Sequence, residues 1–158
     1  MFESFVVGPV AGNRGNWLWG LALVAGTAAA ASNEVVVDGL RVELGVVPAE
    51  QLRGYPRGSV ESSMHGGVPK GSGYYHANVS LFDAATRAPI ANARVEAEMV
   101  QAGTDAVKKP LEPMTINGAV SYGNYFRVMA RTPYELTVRI RKAGANHVSE
   151  AKFRPQPD

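Results

Sequence analysis

Alternation of apolar and polar residues is the feature that most restricts the fold of this chain of 158 residues. In residues 74–83, YYHANVSLFD, every second residue from Ala77 to Leu81 is apolar, and His76 belongs to the other set. A period of two is typical of a β-strand with one face in a core. The pattern therefore predicts a strand here, with His76 pointing away from the core.

The same period recurs along the chain between turn signals. The further predicted strands are residues 90–100, 119–129 and 134–142, with a last strand near 147–153. Outside the first 31 residues, no window shows the 3.6-residue period of an amphipathic helix. Many short strands separated by turns are typical of a sandwich. We predict an all-β fold, an immunoglobulin-like antiparallel β-sandwich of about seven strands, preceded by a signal peptide.

The N-terminal segment is unlike the rest of the chain. Residues 16–31, NWLWGLALVAGTAAAA, form an apolar stretch that ends in small residues, a pattern typical of a secretory signal peptide. It is shorter than the roughly 20 residues that span a bilayer. We predict a signal peptide at residues 1–31, cleavage before Ser32 and a periplasmic location. The alternative is an uncleaved signal that anchors the chain in the membrane.

The remaining residues, 32–158, are enough for one domain. Asp38-Gly39 suits a tight turn, so residues 32–48 are predicted to form a β-hairpin. Residues 49–73 are rich in glycine and proline and are predicted to be a long loop, and residues 74–158 form the main sandwich. The net charge is only +2. Because basic residues are not clustered with aromatic ones, nucleic acid is not an expected partner.

Residues that could support catalysis are few. The segment around Ser72 lacks the Gly-x-Ser-x-Gly spacing of a nucleophile elbow. Glu96 and Glu98 share a strand face at a spacing that suits paired carboxylates, but Arg94 lies on the same face, which favours local ion pairing. The chain has no cysteine, so no thiolate is available. We expect no catalytic residues and predict that the protein is not an enzyme.

Histidine and methionine side chains are the remaining candidates for chemistry. Imidazole binds several first-row metals and thioether sulfur favours Cu(I), so a mixture of the two favours copper where thiolates are missing. Met99 alternates with apolar residues and is predicted to lie in the core. Met129 is interpreted as a core or strand-edge residue, and His147 as the start of a strand. Met64 lies beside glycines, far from any apolar pattern. The predicted metal ligands are Met64, His65, His76 and Met114.

The segment from Pro113-Met114 through Tyr122-Gly123 to residues 134–140 resembles the second half of the periplasmic iron-transport accessory proteins. That family consists of exported β-sandwiches that work beside iron permeases and bind copper or other divalent metals. The resemblance implies Met114 and His76 as ligands. Ser121 stands where the family has a histidine ligand, and Asn78 where it has a carboxylate. A longer stretch, 64–99 with 121–126, resembles uncharacterised exported proteobacterial proteins.

Two hypotheses follow. The first is a periplasmic metal-binding or metal-delivery protein, for copper or iron, that acts beside a metal permease or another envelope protein. The alternative is a non-catalytic interaction module of the cell envelope, with a binding face of exposed aromatic residues, namely Tyr74, Tyr75, Tyr122, Tyr125 and Phe126. Convergence of His65, His76 and Met114 distinguishes them. The oligomeric state is open, and membrane contact is expected only through an uncleaved signal.

Overall fold

The structure, a computed structural model, describes residues 33–156 and is antiparallel β throughout most of that range. The predicted signal peptide lies outside the described residues. The strands are β1 (Glu34–Val37), β2 (Leu40–Pro48), β3 (Tyr74–Asp83), β4 (Ala93–Gln101), β5 (Val107–Ile116), β6 (Ala119–Arg127), β7 (Tyr134–Lys142) and β8 (Ser149–Phe153). The helices are single turns, α1 (Ala49–Leu52), α2 (Val60–Ser63) and a 3₁₀ turn (Met64–Gly66). Within residues 33–156 no helix combines the length and the apolar character needed to cross a membrane.

The strands follow one another in the order β1-β2-β3-β6-β5-β4-β7-β8. β5 belongs to both layers of the sandwich, because residues 107–111 pair with β4 and residues 112–116 pair with β6. Pro110 and Pro113 flank this crossing, and proline cannot donate a ladder hydrogen bond. The predicted all-β sandwich is confirmed, with eight strands in the described residues rather than about seven.

Two hairpin turns form at the dipeptides Asp38-Gly39 and Asn117-Gly118, a type of pair that favours tight turns. Asp38 and Gly39 have φ values of 49° and 74°, and Asn117 and Gly118 have values of 52° and 80°. Two consecutive residues of positive φ make the type I′ turn that matches strand twist. The turns therefore set the register of β1 with β2 and of β5 with β6.

The core lies between the two layers. Its apolar side chains come from the inward faces of both layers; Val79, Leu81, Met99, Leu136 and Val138 are each at most 2% exposed. Met99 is thus a core residue, as predicted. Tyr122 is also buried here, and its hydroxyl accepts a hydrogen bond from the Ala93 N–H. This interior is apolar and its tyrosine hydroxyl has a partner.

A second buried region lies on the outer side of β3 and β6. Residues 49–68, which we name the cap, contain α1, α2 and the 3₁₀ turn. Ala49 and Leu52 of the cap form an apolar cluster with Tyr125 of β6. Arg53 fastens the cap to the following segment, donating hydrogen bonds to the carbonyl oxygens of Pro69 and Gly71. The predicted loop 49–73 therefore contains three helical turns and covers a sheet face.

Candidate metal centre

His76 lies on β3 beneath the cap. Its side chain points away from the core, as the alternation predicts, yet the residue is only 4% exposed because the cap covers it. Its Nε2 atom is buried without a hydrogen-bond partner among the described residues. Burial lowers the pKa of His76 from 6.5 to about 4, and the nearby His65 adds to the shift. The imidazole is therefore neutral at pH 7, the form that ligates metals.

The absence of a side chain at Gly123 makes room for the His76 ring. Gly123 lies on β6, in register with Asn78 of β3 and Glu112 of β5. A Cβ atom at Gly123 would lie 2.7 Å from His76 Nε2 and 3.0 Å from the carbonyl oxygen of Ala77. Both distances are shorter than ordinary contacts, so glycine is required for the ring to lean over β6.

His65 reaches the same place from the cap. Its backbone has φ 54° and ψ 33°, a left-handed conformation that costs a non-glycine residue roughly 1–2 kcal/mol. Its side chain is 2% exposed, and its Nδ1 lies 3.0 Å from Glu112 Oε2. Since a carboxylate oxygen accepts, Nδ1–H is the donor in this contact, and in the tautomer that has this N–H the lone pair is on Nε2. That Nε2 is buried and has no partner in residues 33–156.

The two imidazoles and one tyrosine form a ring cluster. His65 and His76 are stacked, with ring centroids 5.2 Å apart and planes 20° from parallel. Tyr125 contacts both edge-on, at 6.0 and 5.0 Å. Tyr125 Oη and Asn78 Oδ1 are also buried with no hydrogen-bond partner within the described part of the chain, and burial raises the pKa of Tyr125. Each unpartnered group costs about 1–3 kcal/mol of stability.

Met114, another of the four predicted ligands, lies on β5 on the same side of the sheet. It is 7% exposed and pairs with Ser121, whose side chain shares the face of Gly123 and Tyr125. Two residues along a strand span about 7 Å. Because Ser121 is two residues from Gly123 on β6, Met114 is displaced by about that distance along the strand direction from Gly123 and its paired residues. Met114 belongs to neither of the two apolar clusters formed by the described residues.

The donor set fits a soft ion. Two imidazole nitrogens and one thioether sulfur suit Cu(I), and the Glu112–His65 contact is the carboxylate–histidine arrangement that orients metal-binding imidazoles. The described residues contain no group of three or more His, Cys, Asp or Glu side chains placed to hold a metal. A site here therefore needs a donor of another type, and Met114, on the same face of the sheet, is a candidate. Because the nitrogen lone pair lies in the ring plane, the stacked rings must also turn to converge on one ion.

Two expectations about this region are corrected by the structure. Met64 was expected to have no core to fill, but it packs against the apolar cluster beneath the cap. Tyr122, Tyr125 and Phe126 were expected to be exposed, but each is at most 3% exposed. The first two lie on opposite faces of β6, and both faces are covered. The prediction that these three residues belong to an exposed aromatic binding face is therefore wrong.

The other candidates lie elsewhere. His147 is on the surface, with Nε2 2.8 Å from Asp38 Oδ2. Met129 is 44% exposed. Glu96 pairs with Lys108, and Glu98 pairs with Arg139. The predicted ion pairing of these glutamates is observed, although their partners are on β5 and β7 rather than at Arg94.

Sequence reasoning missed Glu112 and Gly123. Glu112 lies two residues before Met114, the spacing that places side chains on one face of a strand. The prolines at 110 and 113 hid that strand, because proline usually argues against one. In the sequence, Gly123 is recognisable only as part of the Tyr122-Gly123 motif. Its role depends on the lean of the His76 ring, which a linear pattern does not contain.

The fold is similar to those of several solved structures. A copper-bound variant of FetP from uropathogenic Escherichia coli strain F11 matches with TM-score 0.59 and 13% identity over 80% of this chain and 95% of that chain. The copper-reconstituted P19 protein from Campylobacter jejuni matches with TM-score 0.56 and 9% identity over 80% and 94%. A DUF4426 family protein from Pseudomonas aeruginosa matches with TM-score 0.54 and 16% identity over 79% and 97%.

At these identities the likeness shows a shared fold. It confirms the sequence-based resemblance at that level. No protein-family model matches the chain, and no curated protein matches it.

Proposed function

We propose that this chain is an exported protein that binds a soft metal ion, Cu(I), through His65 Nε2, His76 Nε2 and the Met114 sulfur. One observation carries the proposal. Two buried imidazoles, one from the cap and one from β3, meet beneath the cap, each with its Nε2 unpartnered among the described residues. We propose a binding and delivery role rather than catalysis.

A purely structural role explains this cluster poorly. Leaving a buried polar atom without a partner costs about 1–3 kcal/mol, and apolar residues of similar shape avoid that cost. His65 also holds a left-handed conformation. Backbone strain at a non-glycine residue is commonly found where function requires it. Two unpartnered nitrogens and a strained backbone at one place are the features expected of a site prepared for a ligand.

Copper is favoured over iron by the donor atoms. The proposed set contains no carboxylate ligand, since Asn78 occupies the relevant strand position and Glu112 is hydrogen-bonded to His65. Imidazole and thioether suit Cu(I) better than hard ions. A copper-bound variant of FetP and copper-reconstituted P19 share the fold. The periplasmic iron-transport accessory proteins, which this chain resembles, have a histidine at the position of Ser121. We propose that His65 of the cap takes the place of that histidine.

The proposed location and partner follow from the N-terminal segment and the resemblance. We propose that residues 1–31 direct export to the periplasm and that the protein acts there beside a metal permease or another envelope protein. A ligand carried on the cap suits transfer of the ion, because opening the cap removes His65 from the site. The cost of ordering the cap, roughly 1–2 kcal/mol per fixed residue, lowers the affinity and favours release.

The test is an anaerobic Cu(I) titration of the purified protein against a competing chelator. The double variant His65→Ala/His76→Ala is expected to bind roughly a hundredfold more weakly. His147→Ala removes the surface imidazole and is the matched control, expected to bind as the wild type does. Met114→Leu keeps the volume and removes the sulfur, and is expected to weaken binding. Equal affinity in the double variant and the wild type, or no binding by either, would contradict the proposal.

A further inference from the structure

The outer face of the β4-β5-β7-β8 layer, on the side of the molecule away from the cap, carries a different kind of feature. A groove of about 650 Å³ lies there. Arg94 of β4 and Arg141 of β7 both line it, and they are directly opposite each other in the antiparallel register. Their neighbours in register, Val95 and Ile140, are core residues, so the two guanidinium groups are on the solvent side.

The carboxylates of this face are already engaged. Glu96 forms an ion pair with Lys108 at 2.8 Å. Glu98 and Glu150 both pair with Arg139, at 2.7 and 2.8 Å. Within residues 33–156, no carboxylate forms an ion pair with Arg94 or Arg141.

Like charges directly opposite each other on neighbouring strands destabilise a sheet. The placement of Arg94 opposite Arg141 therefore does not contribute to the stability of the sheet. A guanidinium group does, however, bind a carboxylate in the two-pronged geometry that lysine cannot reproduce. The arrangement is therefore better explained as a receptor for negative charge.

We infer that this groove, which we name the arginine groove, is a docking surface for an acidic, extended segment of a partner protein. Charge complementarity identifies the occupant, because the two arginines lack partners in the described chain while apolar Pro110 and Val148 line the same groove. A peptide with carboxylates and apolar side chains matches both features. The paired glutamates of this face and a net charge of +2 disfavour a uniformly anionic polymer or membrane.

This inference does not depend on metal binding. The arginine groove and the His65–His76 cluster lie on the outer faces of different layers of the sandwich. A partner held at the arginine groove leaves the cap uncovered, so docking and metal exchange can occur together if both proposals hold. Failure of one leaves the other untouched.

The test is a fluorescence-anisotropy titration of the metal-free protein with a labelled ten-residue peptide of alternating glutamate and valine. Arg94→Gln/Arg141→Gln is expected to weaken binding roughly tenfold or more. Arg57→Gln/Lys70→Gln is the matched control, since both residues are exposed and outside the arginine groove, and the net charge changes equally. The control is expected to bind within about twofold of the wild type, and added salt is expected to weaken wild-type binding.

Two further measurements keep the result interpretable. The groove variant is expected to unfold at the same temperature as the wild type or a higher one, because a like-charge contact is removed; a lower temperature would indicate a structural role and overturn the inference. Inorganic phosphate and phosphatidylglycerol vesicles serve as competing ligands. Equal loss of peptide binding in both double variants, or no peptide binding by the wild type, would overturn it. The inference would also be overturned if vesicles or phosphate bind in a way that requires Arg94 and Arg141 while the peptide does not bind.

Discussion

The sandwich core and the space under the cap are both buried, but they are built differently. In the core, Val79 and Leu136 are at most 1% exposed in apolar surroundings, and the hydroxyl of Tyr122 has a backbone partner. Under the cap, His65, His76 and Tyr125 are packed as closely, yet each has a buried polar atom without a partner among the described residues. Burial of the apolar core side chains stabilises the fold, whereas burial of these unpartnered polar atoms under the cap destabilises it.

The largest expected effect comes from the core. Leu136→Ala removes a side chain that is 1% exposed and is expected to lower the free energy of unfolding by about 2–5 kcal/mol. Denaturant unfolding measures this change. Cu(I) affinity of the folded fraction is expected to stay within about twofold of the wild type, because the core lies on the other side of β3 and β6. A large change in affinity with little change in stability would remove the distinction between the two regions.

The second effect is the pH dependence that His76 gives the metal-free protein. Its folded pKa, about 4, lies below its unfolded value of 6.5, so between these values the unfolded chain binds more protons. Stability is therefore expected to rise from pH 4 to 6.5, by on the order of 3 kcal/mol from this residue. Urea unfolding at several pH values measures the slope. The His76→Leu variant is expected to lose that part of the slope, and an unchanged slope would contradict the assignment.

The third prediction compares Gly123 of β6 with Gly45 of β2, the two strands that pair with β3. Gly123→Ala places a Cβ 2.7 Å from His76 Nε2 and is expected to cost about 1–3 kcal/mol of stability and roughly tenfold in Cu(I) affinity. Gly45→Ala is the control, because its nearest contact, the carbonyl oxygen of Asn78, is at 3.8 Å. Chelator competition and urea unfolding measure both. Equal effects of the two substitutions would show that Gly123 has no special relation to His76.

The smallest expected effect has the opposite sign. His76→Leu removes an unpartnered buried nitrogen and is expected to raise the stability of the metal-free protein at pH 7 by about 1 kcal/mol, while weakening Cu(I) binding. Thermal unfolding with and without Cu(I) measures both. A variant that is several kcal/mol less stable than the wild type would mean that His76 supports the fold, as a core residue does.

The same comparison explains what the sequence could predict. The turns could be predicted because Asp38-Gly39 and Asn117-Gly118 determine their conformation locally. The core could be predicted because the alternation of apolar and polar residues places Val79 and Leu136 inward. His76 was predicted to point away from the core for the same reason. Its burial was not predictable, because the cap that covers it lacks a periodic pattern.

The candidate site was predictable in its donor types but not in its assembly. The soft-ligand chemistry of the side chains predicted Met64, His65, His76 and Met114 as ligands, and the resemblance implied two of them, His76 and Met114. The contact between His65 and Glu112 joins residues 47 positions apart, and β5 was concealed by its prolines. The packing of Met64 was not predictable, because the cluster that it packs against includes Tyr125 of β6, which is distant in sequence.

The most direct test of the account follows the imidazole nitrogens themselves. The chain has three histidines, so a ¹⁵N-labelled protein gives three imidazole spin systems, and Cu(I) is diamagnetic. On anaerobic addition of one equivalent of Cu(I), the Nε2 resonances of His65 and His76 are expected to shift together, while those of His147 at the surface stay in place. A shift confined to His147, or no shift at His65 and His76, would contradict the claim that the space under the cap is a metal site.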